Sequence, residues 1–181
     1  TVGKPVPGVE VKIAADGEIL TRGPNVMKGY YNKPEATAEV LSPDGWFSTG
    51  DIGKLDADGY LWITDRKKDI IVTAGGKNIA PQPIESVLKT HKLIGEIVMI
   101  GNKRNFAAAL VVPAFEALET WAKQQGLAVG GREELVRRPE VLARYQGLVD
   151  EMTADLAQFE KIKKIALLAR EFTQESGELT P

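Results

Sequence analysis

A chain of 181 residues, 43% of them hydrophobic and 27% charged, has enough apolar side chains for one large domain or two small ones. Its formal net charge of −2 gives no electrostatic footprint for nucleic acid, so no nucleic-acid partner is expected. The absence of cysteine excludes disulfides, thiol catalysis and cysteine–zinc sites, and the single histidine, His91, excludes a multi-histidine metal site in this chain. The sequence has no apolar run long enough to span a bilayer and no recognisable signal peptide.

Residues 1–66 are predicted to form short β-strands. Apolar and polar side chains alternate along residues 9–13, and Asp16-Gly17 is a hairpin-turn signal that leads into a return strand over residues 18–22. Further strands are predicted at residues 46–47, 52–55 and 60–63, with a corner at Thr49-Gly50-Asp51. Strands of this length between glycine turns favour a small barrel or a curled sheet.

Four helices are predicted along the chain. Asn32 is expected to cap a short one within residues 1–66, and proline is expected to start two later ones, at Pro81 and Pro113. The longest helix is predicted over residues 139–159, because apolar side chains recur there in steps of three and four: Leu142, Tyr145, Val149, Met152, Leu156 and Phe159. Strands are predicted at residues 97–100, 106–112 and 165–168, so residues 67–181 form an α+β unit.

Two nearby motifs carry the candidate chemistry. The first, Trp46 to Asp51, puts a carboxylate after a tight turn, where it can accept hydrogen bonds from both hydroxyls of a ribose. The second runs from Thr64 to Pro81 and is closed by Glu85; its Arg66 offers a planar fork of donors suited to ribose or phosphate oxygens. The alternatives are that Asp51 only completes a turn and that Arg66 only forms a surface ion pair with Asp65 or Asp69.

The second motif also contains Gly75 and Gly76, inside a predicted hairpin of residues 70–72 and 77–79. Glycine lets a backbone pass close to a ligand, although an ordinary hairpin turn explains the pair as well. A phosphate-binding glycine loop would lead into a helix, and this one leads into a strand. Structural roles are expected for Glu85 and His91, and Lys67 is expected to be a solvated surface charge.

In order and spacing these motifs resemble those of the adenylate-forming superfamily, which includes acyl-CoA synthetases, adenylation domains and luciferases. The residues 17–23 and 27–32 and the run Thr73–Pro81 are most similar to bacterial long-chain fatty acid–CoA ligases. No insertion separates Thr64 from Val72, which favours an enzyme that forms a thioester.

The resemblance implies an α+β fold with a β-barrel-like subdomain at residues 1–66 and a mobile lid domain at residues 67–181. It implies that Asp51 and Arg66 bind the ribose of ATP or AMP, that Lys68 is the hinge between the domains, and that Gly75 and Gly76 line the coenzyme A channel. Fatty acid, ATP and coenzyme A would be the substrates, with Mg²⁺ to neutralise the phosphates.

The resemblance also implies that the sequence is a C-terminal piece of a longer ligase. In that family the tail Gly177 to Pro181 leads directly into the catalytic lysine, which is therefore expected just after Pro181. The chain alone is expected to be inactive, because it has neither that lysine nor an ATP loop. A cytoplasmic location is expected, with peripheral membrane contact as a secondary expectation.

Two other functions stay open from the sequence. One is an adenylation enzyme that loads a carrier protein. The other is a non-catalytic module that binds a nucleotide or coenzyme A.

Overall fold

In a computed structural model, which describes residues 1–128, 130–175 and 177, the chain divides into two units, Thr1–Ile70 and Ile71–Pro181. The division falls after Ile70, slightly later than the boundary after Arg66 that the sequence indicated. Each unit has its own sheet, and the architecture is α+β, with a curled antiparallel sheet first and a small sheet flanked by helices second.

The first unit is a four-stranded antiparallel sheet in the order β1-β2-β3-β4. Its strands are β1 (Glu10–Ile13), β2 (Glu18–Arg22), β3 (Phe47–Leu55) and β4 (Leu61–Arg66), with helix α1 (Pro34–Val40) between β2 and β3. A 3-10 turn, Lys67–Asp69, follows β4. The sheet is open, because the edge strands β1 and β4 do not pair with each other. An isolated bridge joins Gly3 to Leu61 of β4. The predicted return strand over residues 18–22 is confirmed.

Two local predictions in this unit are wrong. Thr49-Gly50-Asp51 is not a corner between strands, because β3 runs continuously through it. The bend is absorbed at Gly50, which has a φ of +75°, and at a register shift between Ile52 and Gly53. Asn32 does not cap α1: it lies in the left-handed region with a φ of 53°, and Lys33 is the N-cap residue, without a side-chain capping bond.

The second unit begins with a small hairpin of β5 (Ile71–Val72) and β6 (Asn78–Ile79), as predicted around Gly75-Gly76. Helix α2 (Pro81–Leu88) follows, and then a three-stranded sheet in which β7 (Ile94–Ile100) pairs antiparallel with β8 (Ala107–Pro113) and β8 pairs parallel with β9 (Ile162–Leu167). Between β8 and β9 the chain forms α3 (Phe115–Gln124), the short α4 (Arg132–Leu135) and α5 (Pro139–Met152).

One face of this sheet packs into the main hydrophobic core. Its core residues on β7 and β8, Ile97, Met99, Ala109 and Val111, are buried together with side chains of all four helices: Leu88, Leu118, Leu135, Tyr145 and Val149. Alternate residues of the same strands face away from the core, and Val98 and Ile100 are 38% and 45% exposed. The sheet therefore has one covered face and one open face.

The helix predictions need three corrections. The longest helix, α5, stops at Met152 instead of Phe159, and its C-cap residue Thr153 has left helical geometry, with a φ of −113° and a ψ of 20°. Pro113 is the last residue of β8, and α3 begins at Phe115. The short α4 was not predicted. Among the described residues, no helix is both long and apolar enough to cross a membrane.

Candidate functional site

The pairing of β3 with β4 places Asp51 directly opposite Arg66. The Arg66 Nε lies 3.0 Å from Asp51 Oδ1, so the two side chains form an ion pair. The Asp51 side chain is 24% exposed and that of Arg66 60%, so the acid is largely covered while most of the guanidinium stays accessible. Arg66 thus forms an ion pair with Asp51 across the two strands, and its backbone N–H donates to the Asp65 carboxylate at 2.7 Å.

Hydrogen bonds from β2 fix the backbone around Asp51. The Thr49 hydroxyl donates to the Ile19 carbonyl at 2.8 Å and accepts from the Asp51 N–H at 3.1 Å. The Gly50 N–H donates to the Glu18 carboxylate at 2.9 Å. These bonds hold the backbone at Gly50 and Asp51 in place against β2.

The Lys67 side chain is not the solvated charge that the sequence suggested. Its ammonium lies 2.8 Å from Asp16 Oδ2 and 2.8 Å from Glu18 Oε2. The hydrogen bonds to Asp16 and then to Glu18 raise the pKa of Lys67, and the bond from Lys67 lowers the pKa of Asp16. Lys67 therefore links the turn after β4 to the hairpin formed by β1 and β2.

Sequence reasoning missed Glu18, which the structure buries to 6% exposure at the start of β2. Its Oε1 accepts the Gly50 N–H, and its Oε2 accepts a hydrogen bond from the Lys67 ammonium. A signal was available, since Glu18 follows the Asp16-Gly17 turn by one residue and precedes the apolar pair Ile19-Leu20. A carboxylate at a buried position needs partners, and spacing alone does not reveal them.

The predicted hinge residue Lys68 lies in the 3-10 turn at the end of the first unit, with its side chain exposed. The hinge role stays a prediction. The catalytic lysine expected after Pro181 lies outside the described residues.

The two glycines of the second motif form an open turn. The Gly76 N–H donates to the Thr73 carbonyl at 2.9 Å, and the Gly76 φ of +73° favours glycine. A Cβ atom added at Gly75 or at Gly76 would meet nothing within 4 Å. The space beside this turn could therefore accept a ligand within the second unit.

The hairpin is fixed to the loop between β7 and β8. The Ala74 N–H donates to the Arg104 carbonyl at 2.8 Å, and the Lys103 N–H donates to the Val72 carbonyl at 2.7 Å. The structure places Glu85 and His91 in structural hydrogen bonds, the role expected for both. The Glu85 carboxylate accepts the Met99 N–H at 2.6 Å, and His91 Nδ1 accepts the Leu93 N–H at 3.1 Å.

The family comparison identifies the second unit. The family described as "AMP-binding enzyme C-terminal domain" matches residues 68–178. The chain belongs to this family. Because the match covers the hairpin and all of the helices of the second unit, that unit is an AMP-binding enzyme C-terminal domain.

The relatives of this chain match both of its units. It is 45% identical to the long-chain-fatty-acid–CoA ligase FadD15 of Mycobacterium tuberculosis, over 100% of this chain and 30% of that protein. It is 36% identical to long-chain-fatty-acid–CoA ligase 1 of Cavia porcellus, over 99% of this chain and 28% of that protein. The chain thus spans less than a third of the length of these relatives.

A solved structure shares the fold. The O-succinylbenzoate coenzyme A synthetase of Bacillus subtilis, in complex with AMP, is 31% identical and matches with a TM-score of 0.64, over 98% of this chain and 33% of that one. The chain therefore shares its fold with part of an adenylate-forming enzyme, as its two motifs suggested.

Proposed function

We propose that the chain is the C-terminal part of a long-chain fatty acid–CoA ligase. The observation that carries the proposal is the Asp51–Arg66 ion pair, 3.0 Å long, on the adjacent strands β3 and β4. The similarity to long-chain-fatty-acid–CoA ligases over the whole chain supports the substrate class.

The proposed reaction has two steps. A carboxylate oxygen of the fatty acid attacks the α-phosphorus of ATP, the bond from that phosphorus to the bridging oxygen breaks, and pyrophosphate leaves. The coenzyme A sulfur then attacks the acyl carbon of the acyl adenylate, AMP leaves, and the thiol proton is released. The protein contributes by aligning these groups and by stabilising charge.

In the first step we assign Asp51 to the ribose hydroxyls of the nucleotide. An ionised carboxylate accepts two such bonds, and the Arg66 guanidinium uses one donor for Asp51 and keeps others for ligand oxygens. Lys68 is assigned to the hinge between the steps, and the Gly75-Gly76 turn to the coenzyme A channel in the second step.

Mg²⁺ would accompany ATP and supply charge neutralisation on its phosphates. Over residues 1–128, 130–175 and 177 no three acidic or histidine side chains cluster as a metal site. Mg²⁺ is usually held by one or two carboxylates together with the phosphates themselves, so the chemistry of the described residues fits an ion carried in with the nucleotide.

The test uses the protein of full natural length. It is expected to catalyse fatty-acid-dependent exchange of pyrophosphate into ATP and to form acyl-CoA, which mass spectrometry detects. Asp51→Asn should slow the exchange by roughly 10- to 100-fold, the loss that corresponds to a hydrogen bond to a charged group. Asp58→Asn, at an exposed turn of the same unit, is the matched control and should exchange like wild type.

The outcomes separate the alternatives. Absence of acid-dependent exchange in the full-length protein contradicts the ligase. Exchange followed by acyl transfer to a carrier protein, with no acyl-CoA, would favour the carrier-loading enzyme. The 181-residue chain by itself is expected to show no exchange.

A further inference from the structure

Glu18 binds the chain next to both members of the Asp51–Arg66 ion pair. Its Oε1 accepts the N–H of Gly50 at 2.9 Å, and Gly50 directly precedes Asp51. Its Oε2 accepts a hydrogen bond from the Lys67 ammonium at 2.8 Å, and Lys67 directly follows Arg66. One side chain on β2 therefore contacts a neighbour of each member of the pair, although the pair itself lies on β3 and β4.

Regular strand pairing is interrupted on both sides of β3 near this contact. The register of β2 with β3 shifts between Glu18 and Leu20, and the register of β3 with β4 shifts between Ile52 and Gly53. At such irregularities the ladder of backbone hydrogen bonds is disrupted and the strand bends. The side-chain acceptor for the Gly50 N–H therefore adds a restraint where the ladder supplies fewer.

The negative charge of Glu18 is matched to Lys67. Glu18 is buried, and burial of a carboxylate costs free energy unless a partner offsets it. A neutral side-chain oxygen would accept the Gly50 N–H as well, so the Lys67 ammonium is the partner that uses the charge. The sheet thus keeps a buried carboxylate at the one position that also holds the turn after Arg66.

Lys67 has a second acidic partner, Asp16, which is much more exposed. The Lys67 ammonium lies 2.8 Å from Asp16 Oδ2, but half of the Asp16 side chain is exposed to solvent. Exposed ion pairs are screened by water and contribute little. Glu18 is therefore the partner expected to hold Lys67 in place, and Asp16 offers a comparison within the same cluster.

The ribose contacts assigned to Asp51 and Arg66 need a fixed geometry. The two side chains approach to 3.0 Å between Oδ1 and Nε, and their backbones pair across β3 and β4. Hydrogen bonds weaken steeply when donor and acceptor are misdirected, so a shift of either backbone segment would weaken the binding of a nucleotide. Groups that are held in place before binding also lower the cost of ordering the complex.

We propose that Glu18 is a positioning residue for the nucleotide: through Gly50 and Lys67 it holds Asp51 and Arg66 in the geometry that binds the ribose. The inference rests on the proposed ligase function and adds a residue to its nucleotide site. In this assignment Glu18 does not touch the nucleotide and acts only through its two partners. Its loss therefore weakens the use of ATP and leaves the use of the fatty acid unchanged.

The test measures fatty-acid-dependent pyrophosphate exchange by the full-length enzyme over a range of ATP concentrations. Glu18→Gln keeps a side-chain oxygen for the Gly50 N–H but removes the charge that pairs with Lys67. It should raise the KM for ATP by roughly threefold to tenfold, the effect of one hydrogen bond, and leave the KM for the fatty acid unchanged. A purely structural role would lower the amount of folded enzyme, and hence the maximal rate, without changing the KM for ATP.

Variants of Lys67 show whether the two residues act through one contact. Lys67→Met should raise the KM for ATP as Glu18→Gln does, and the double variant should be no worse than either single variant, because both changes remove the same ion pair. Lys67→Arg keeps the positive charge and should restore most of the wild-type KM, and Asp16→Asn should have a smaller effect than Glu18→Gln. Glu10→Gln is the matched control: Glu10 also pairs with an arginine, but its side chain is 59% exposed, so the KM for ATP should stay at the wild-type value.

Two results would overturn the inference and leave the ligase proposal standing. One is an unchanged KM for ATP in both Glu18→Gln and Lys67→Met, and the other is a pair of effects that add fully in the double variant. If Glu18→Gln does not fold, Lys67→Met and its rescue by Lys67→Arg decide the question. Failure of the ligase proposal looks different, because the wild-type enzyme would then show no acid-dependent exchange at all, and the assignment of Glu18 would fall with it.

Discussion

The buried carboxylate of Glu18 accepts the N–H of Gly50, the residue directly before Asp51, at 2.9 Å. Glu18 on β2 thus stabilises the backbone of β3 next to Asp51. The same carboxylate binds Lys67, so the support extends to the turn after β4.

Glu18→Ala is expected to destabilise the first unit by about 1–3 kcal/mol, because it leaves the Gly50 N–H without its buried acceptor. The measurement is urea unfolding followed through the amide signals of residues 1–70. Glu10→Ala is the control: Glu10 also pairs with an arginine, Arg22, but both side chains are well exposed, so the effect should be smaller. Equal effects of the two variants would contradict the structural role of Glu18.

The two glycines of the hairpin turn should respond differently to substitution. Gly76→Ala should cost about 1–2 kcal/mol, because the Gly76 φ of +73° is left-handed. Gly75→Ala should leave stability unchanged, because its φ is not in that region and no atom lies within 4 Å of the added Cβ. Thermal unfolding of the chain compares the two variants.

Gly75 can then report on function without a change in folding. In the full-length enzyme, Gly75→Ala or Gly75→Leu should slow thioester formation and leave pyrophosphate exchange at the wild-type rate. Unchanged thioester formation in Gly75→Leu would show that coenzyme A does not pass this turn.

The pKa of His91 should lie below its ordinary value of about 6.5, chiefly because burial disfavours the charged ring and secondarily because Arg144 is positive. Since the folded-state pKa is lowered, the associated stability is present above about pH 6.5 and is lost as pH falls through the folded-state pKa. Protonation also removes the Nδ1 acceptor of the Leu93 N–H.

NMR can follow His91 without ambiguity, because it is the single histidine of the chain. His91→Asn should flatten the pH dependence of stability in this range while its side-chain oxygen can still accept the Leu93 N–H. A ring that titrates above about pH 6.5 would contradict the prediction.

Tyr145 is fully buried, and its hydroxyl donates to the Leu93 carbonyl at 2.7 Å. Burial raises the pKa of Tyr145 far above its usual value, so the phenol stays protonated. Tyr145→Phe should cost about 0.5–1.5 kcal/mol, toward the low end, because the Leu93 carbonyl keeps a second donor, the Ala114 N–H at 2.9 Å.

Tyr145→Ala should cost about 3–5 kcal/mol, since it leaves a cavity in the core. Urea unfolding of the second unit measures both changes. If Phe and Ala cost the same, the ring would not be packed as the structure shows.

Local signals predicted most of the elements. The Asp16-Gly17 turn, the Gly75-Gly76 hairpin and the helix start at Pro81 depend on backbone preferences of a few neighbouring residues, and each is found as predicted. The end of the longest helix was predicted wrongly. The apolar stripe continues to Phe159 although α5 ends at Met152, because a periodic pattern does not show where the backbone leaves helical geometry.

By itself the sequence determined the order of the two motifs, the α+β class and the candidate residues Asp51, Arg66, Gly75 and Gly76, because these follow from residue types at short spacing. Only the tertiary structure decided that Arg66 pairs with Asp51 across two strands and that Glu18 holds Gly50 from a third. It also decided that Asn102, Arg104 and Phe106 border one cavity and that the Arg104 carbonyl accepts the Ala74 N–H beside the glycine turn. Strand register sets these neighbours, and register depends on packing across the whole sheet.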